Sequence, residues 1–156
     1  MHGPVGDLTL FEDDGAIVAL EWGWAGDPEP TALLVAARAA LDGYFDTGTL
    51  PTVPLRPAGT AYQQRVWNLM RTIPGGATRT YGALAHDLAS GPRAVASACA
   101  RNPIPILIPC HRVVGATSLG GYSGDGGAAT KRALLRLENL DIAYPRSVAR
   151  SIGRAR

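Results

Sequence analysis

Cys110-His111-Arg112 sets a thiol, an imidazole and a guanidinium in consecutive positions, after a lead-in from Asn102 that contains Pro103, Pro105 and Pro109. A thiol becomes a nucleophile when a nearby base or cation favours the thiolate, and His and Arg can fill both roles. The chemistry this predicts is attack by sulfur on an electrophilic centre. Without polar neighbours, the same cysteine would read as a small core hydrophobe. Each proline pushes the residue before it toward extended geometry and cannot donate to a ladder, while Ile104, Ile106, Leu107 and Ile108 make the lead-in apolar. The segment is therefore expected to be a stiff, buried strand that carries Cys110 out of the core to an edge. Side chains alternate across a strand, so His111 is expected to reach the thiol through a bridging water or an unusual turn.

A chain of 156 residues with 46% hydrophobic content can bury one core, or a small lobe packed on a larger one. No apolar run is long enough to span a bilayer and the N-terminus lacks a basic, apolar signal pattern, which predicts a soluble, cytoplasmic protein with no membrane partner. Two cysteines, Cys99 and Cys110, fit a reducing compartment. With His2, His86 and His111 as the only histidines, no metal site is expected. Charge is divided unevenly. Residues 1–60 hold nine acids against Arg38 and Arg56, a net −7, whereas residues 61–156 net +9. A basic half is the footprint of a phosphate-binding surface.

The elements that must position Cys110 follow from periodicity. Val5–Phe11 and Ala16–Trp22 around Asp14-Gly15 predict a β-hairpin, with Val18, Leu20 and Trp22 on one face. Leu33, Leu34, Ala37, Leu41, Tyr44 and Phe45 recur at helical spacing and read as scaffold. Asp46–Gly59, rich in Thr, Pro and Gly, reads as a linker. Thr60-Ala-Tyr-Gln63 fits a capping box ahead of the stripe Tyr62, Val66, Leu69, Met70 and Ile73, with Trp67 assigned to packing. Thr80–Ala89 and Pro92–Arg101 are two short helices either side of Ser90-Gly91, capped by Thr80 and started by Pro92. Spacing alone describes an αα-hairpin or a helix-turn-helix. Residues 115–127 form a Gly-rich loop with no Walker pattern, better suited to closing over a ligand. Leu134, Leu135 and Leu137 mark a last helix, and Arg146, Arg150, Arg154 and Arg156 a basic tail.

Pro109-Cys-His-Arg-Val113, preceded by Asn102-Pro103 and followed by Gly121-Tyr122-Ser123-Gly124, resembles the active-site signature of the O6-alkylguanine-DNA alkyltransferases, also called methylated-DNA-protein-cysteine methyltransferases. The resemblance is strong over residues 61–140. It implies an α/β N-terminal lobe with a small ribonuclease H-like sheet (residues 1–59 with the linker), a mostly α C-terminal lobe with a helix-turn-helix (60–140) and a basic tail (141–156). It implies DNA repair by single-turnover, stoichiometric transfer of an alkyl group from O6-alkylguanine in double-stranded DNA to Cys110, without cofactor or metal. A monomer is expected, with cooperative assembly on DNA left open.

The same resemblance assigns residues. His111, oriented by Glu138, takes the thiol proton; Tyr81 serves guanine N3; Asn102 ties the recognition helix to the active-site strand. Arg93 enters the base stack in place of the extruded nucleotide, and Thr80, Ala94, Ser97 and Arg101 complete the DNA face. The carbonyls of Cys110 and Val113 are assigned to the guanine amino group, the Ser123 amide to O6, and Pro105 and Tyr122 to the pocket wall. The alternative is a binding-only, alkyltransferase-like protein; those have Trp at the nucleophile position, where this chain has Cys110.

Overall fold

The computed structural model describes residues 1–26, 29–50 and 52–144. A three-stranded antiparallel sheet opens the chain, in the order β1 (His2–Gly3), β2 (Gly6–Asp13), β3 (Ala16–Trp22). The expected hairpin forms, with Asp14 and Gly15 both at positive φ (45° and 74°) as a tight two-residue turn needs. Its facing differs from the simple alternation. The register slips between Phe11 and Glu12, which pair with Ala19 and Ile17, so Val18 is the extra residue of a bulge. A bulge shifts side-chain phase. Ile17 and Leu20, not Val18 and Trp22, are the buried pair.

Helix α1 (Ala32–Thr47) is capped by Thr31 Oγ1 on the Leu34 amide and closed by Gly48, whose N–H donates to the Tyr44 carbonyl. It buries Ala37, Ala40, Leu41 and Tyr44. The stretch expected as a linker is tied down. Ile17 N donates to Pro54 O and Arg56 N to Ile17 O, each at 2.9 Å, so residues around Leu55 extend the edge of β3. A sheet edge with free backbone groups attracts such a segment.

Helix α2 (Ala61–Met70) carries the full capping box between Thr60 and Gln63. Trp67 is 1% exposed and its indole N–H donates to Ala98 O, which locks α2 to α4. Strand β4 (Arg79–Thr80) leads into α3 (Tyr81–Asp87), capped by Thr80 Oγ1 on the Ala83 amide at 3.1 Å. After a turn, α4 (Pro92–Ala100) begins with Pro92 in its first turn, where a missing N–H costs nothing. β5 (Val113–Val114) pairs in parallel with β4, and α5 (Gly127–Leu137) follows the glycine-rich loop. One apolar cluster runs from Leu8 and Ile17 through Leu41 and Trp67 to Ile104 and Leu134. The basic tail lies outside the described residues from 145 onward. No helix among the described residues is long and apolar enough to cross a membrane.

Candidate active site

The segment leading to Cys110 is not a strand. Leu107 N donates to Pro105 O (2.9 Å) around Ile106, which has φ 71°, and Cys110 N donates to Ile108 O (2.8 Å) around Pro109 at φ −81°, ψ 65°. These are two three-residue γ-turns in close succession. A β-branched residue at positive φ stores on the order of 1–3 kcal/mol of strain, and Ile106 holds that conformation fully buried. Asn102 supplies part of the restraint: its amide donates to Ile108 O at 2.8 Å and its carbonyl accepts from Ile104 N at 3.0 Å. Proline lead-ins and Asn102 therefore fold the segment back on itself. Cys110–Arg112 then form a single 3-10 turn before β5.

This turn corrects the expected edge position of Cys110 and is the unusual turn expected beside His111. Cys110 is 4% exposed and sits inside, not at an exposed edge. His111 no longer obeys strand alternation, and its ring is fully buried. Its Nε2 lies 2.8 Å from Glu138 Oε1, at the C-terminal cap of α5. A carboxylate only accepts, so Nε2 carries the hydrogen. Nδ1 is then the lone-pair nitrogen, buried and without a protein partner among the described residues.

Glu138 is the hub of this cluster. Arg112 Nη2 reaches Oε1 at 2.7 Å and Nε reaches Oε2 at 3.0 Å, while Nη1 donates to Ile73 O at 2.6 Å. Tyr44, from α1, donates its hydroxyl to Oε1 at 2.8 Å. Burial alone would raise the Glu138 pKa, but hydrogen bonds from His111 and Arg112 outweigh it and hold the carboxyl at about 2. Burial pushes His111 below its ordinary value, against the pull of Glu138. Burial likewise pushes the Cys110 thiol up, opposed by the Asn102 amide and the Lys131 charge. At rest the sulfur is a thiol and the imidazole is neutral.

Cys110 lines a cavity of about 300 Å³ whose wall includes Tyr81, Cys99, Tyr122 and Ser123. That is the small end of ligand-site volumes. Ala96 and Ala100 of α4 complete one side, so the helix forms the cavity wall with one face while Arg93, Ala94 and Ser97 stay exposed on another. Arg101, also exposed, follows directly.

Residues 61–140 match the family model for the 6-O-methylguanine DNA methyltransferase DNA binding domain. The methylated-DNA–protein-cysteine methyltransferase of Mycobacterium leprae is 40% identical over 157 residues, covering 91% of this chain and 92% of that protein. The chain belongs to the methylated-DNA–protein-cysteine methyltransferase family. The Haemophilus influenzae methyltransferase of the same name is 35% identical, over 88% of this chain and 83% of its own length. Among solved structures, Mycobacterium tuberculosis OGT in complex with DNA is similar with a TM-score of 0.78 and 42% identity, covering 88% of this chain and 89% of that one.

Within this methyltransferase-family chain, the structure brings Cys110, Tyr81, Tyr122 and Ser123 to one cavity and places Asn102, His111 and Glu138 behind it. Pro105 lines an adjoining crevice with Trp22, Ser123 and Gly124 instead. Thr80 spends its hydroxyl on the α3 cap. The Val113 carbonyl accepts from Lys131 Nζ at 2.6 Å. Lys131 was not among the predicted site residues. Fully buried, it also donates to Gly121 O (3.0 Å) and toward Tyr81 Oη (3.4 Å), and burial lowers it to about 8. It thereby pins the glycine loop and β5 beside the cavity. Gly124 is wedged between Tyr122 and Trp22, and a side chain there would collide with both rings. Tyr44 and Arg112 were likewise missed as partners of Glu138; a tyrosine in an apolar helical stripe was the one available signal for the first.

Proposed function

We propose that this chain repairs DNA by moving the alkyl group of an O6-alkylguanine onto Cys110, once per molecule. The observation that carries the reading is the joint position of Cys110: in the wall of a base-sized cavity, next in sequence to a buried imidazole whose tautomer a carboxylate fixes. The Cys110 proton passes to His111 Nδ1 through a bridging water. Sulfur then attacks the alkyl carbon, the S–C bond forms and the C–O6 bond breaks. The base leaves with a proton given to N3 by Tyr81, which leaves a phenolate matched in charge by the His111 imidazolium, and proton exchange through solvent restores both. Lys131 supports that role, because an ammonium directed at the Tyr81 oxygen leaves the phenol hydrogen free to point elsewhere.

The product thioether is stable, so the protein ends the reaction alkylated. We assign the Cys110 carbonyl and the Ser123 amide to the base edge and Tyr122 to its face, with Pro105 in the adjoining crevice; the Val113 carbonyl, which the resemblance gives to the same edge, already accepts from Lys131 Nζ at 2.6 Å.

Access to a paired base requires extrusion, at a cost of a few kcal/mol that new contacts offset. The pair α3–α4 acts as a helix-turn-helix. Its exposed Arg93, Ala94, Ser97 and Arg101 lie against double-stranded DNA with Thr80 at the start of α3, and Arg93 fills the gap in the stack. The N-terminal sheet and α1 form the smaller lobe, residues 1–59, packed on the lobe of residues 60–140. The protein works as a cytoplasmic monomer. Incubation with duplex DNA carrying radiolabelled O6-methylguanine tests the reading. Label transferred to protein supports repair, whereas lesion binding with all label left in DNA overturns it in favour of a binding-only protein.

A further inference from the structure

Tyr44 brings the N-terminal helix into the buried polar cluster. Its ring is completely buried, where phenylalanine would pack equally well without the cost of taking a hydroxyl out of water. The hydroxyl is used: it donates to Glu138 Oε1 at 2.8 Å and lies 3.3 Å from His111 Nε2. Burial, and then the charge of Glu138, push the phenol above its ordinary pKa, so it stays a neutral donor across the working pH range. The Gly48 amide caps the Tyr44 carbonyl at 2.7 Å and fixes the backbone from which the ring projects.

We propose that Tyr44 is a positioning residue for alkyl transfer, whose hydroxyl fixes the Glu138 carboxylate and through it sets the orientation and basicity of His111. The inference rests on the transfer chemistry proposed above. Glu138 Oε1 is shared by Tyr44, His111 and Arg112. Each added donor draws off negative charge that would otherwise stabilise an imidazolium. The groups bearing on His111 are Glu138 and Lys131 from α5, Arg112 on its own turn and Tyr44 from α1. Only Glu138 favours the charged ring strongly, and Tyr44 tempers it. His111 Nε2 is closer to the carboxylate (2.8 Å) than to the phenol (3.3 Å), so loss of the hydroxyl acts mainly by freeing the carboxylate. Freed, it makes His111 more basic, and the neutral form needed to accept a proton is then lost at higher pH.

The test is the single-turnover rate of methyl transfer from an O6-methylguanine duplex as a function of pH, with duplex binding measured alongside. Three proteins are compared: wild type, Tyr44→Phe, and the chain carrying 3,5-difluorotyrosine at position 44. For Tyr44→Phe the expected result is unchanged duplex binding, a plateau rate lower by about threefold to tenfold, and an acidic limb moved up by about half a unit to one unit. Difluorotyrosine, a stronger donor, should move that limb down. Superimposable wild-type and Tyr44→Phe profiles overturn the role of Tyr44 alone. Wild-type protein that transfers no methyl group at any pH overturns the transfer reading beneath it. Should Tyr44→Phe fail to fold, the fluorinated protein decides, and an unmoved limb there overturns the inference.

Discussion

His111 Nε2 stands 2.8 Å from Glu138 Oε1, and neither side chain has any exposed surface. Because the carboxylate can only accept, this contact decides which imidazole nitrogen keeps its hydrogen and which is free to take one. The pair is held by Arg112 from the same 3-10 turn and by Tyr44 from a helix more than sixty residues earlier in the chain. The tautomer and placement of this imidazole therefore depend on parts of the sequence far from the Cys-His-Arg motif.

Replacing Glu138 by Gln should be strongly destabilising. The guanidinium of Arg112 would remain buried with its charge uncompensated, a situation that costs about 3–5 kcal/mol when one partner of a buried pair is removed. Urea unfolding of Glu138→Gln should show a midpoint well below that of the wild type, with transfer lost or severely slowed. An unchanged midpoint would mean the convergence on Glu138 contributes little.

Stability should fall on acidification in two stages. His111 is held below its ordinary 6.5, so below that pH the unfolded chain takes up a proton that the folded chain refuses, and stability declines as pH falls. Glu138 is held at about 2 against an ordinary 4.5, so its contribution is intact above 4.5 and is lost as pH drops toward 2. Thermal melts across this range should show Tm beginning to fall near pH 6.5 and falling faster below 4.5. A flat Tm from pH 7 to 5 would contradict the buried, neutral state of His111.

Cys110 should be a poor nucleophile toward small alkylating reagents at neutral pH. Burial raises its thiol and the imidazole beside it is neutral, so the sulfur is protonated at neutral pH. Iodoacetamide labelling, followed by peptide mapping, should proceed much more slowly than with free cysteine. A rate matching or exceeding free cysteine would point to a resting thiolate.

Arg93→Ala separates DNA handling from chemistry. The side chain is exposed on α4 and is not among the partners of Glu138, so the variant should fold normally and lose repair of duplex lesions while retaining more of its reactivity toward free O6-alkylguanine base. Equal losses on the two substrates would remove Arg93 from the extrusion step.

Local signals in the sequence carried much of this architecture. The Thr60–Gln63 box, Pro92 at a helix start and Asp14-Gly15 at a hairpin each dictate backbone geometry within a few residues, and the structure has all three. The approach to Cys110 was misread because proline and isoleucine favour extended backbone, whereas hydrogen bonds from Asn102 and successive γ-turns impose a fold-back that propensity cannot register. The bulge at Val18 is invisible to alternation for the same reason. Tyr44, Arg112 and Lys131 were legible only as residue types. Their partners are tertiary, set by where α1, the 3-10 turn and α5 meet.

The most direct test weighs the intact protein after exposure to excess duplex DNA containing O6-methylguanine, then maps the modified peptide. One methyl group per chain, confined to Cys110, with repair ceasing at that ratio and absent from Cys110→Ala, is the predicted result. Unmodified protein, methylation at another residue, or repair that continues past one lesion per molecule would contradict the assignment of Cys110 as the terminal acceptor.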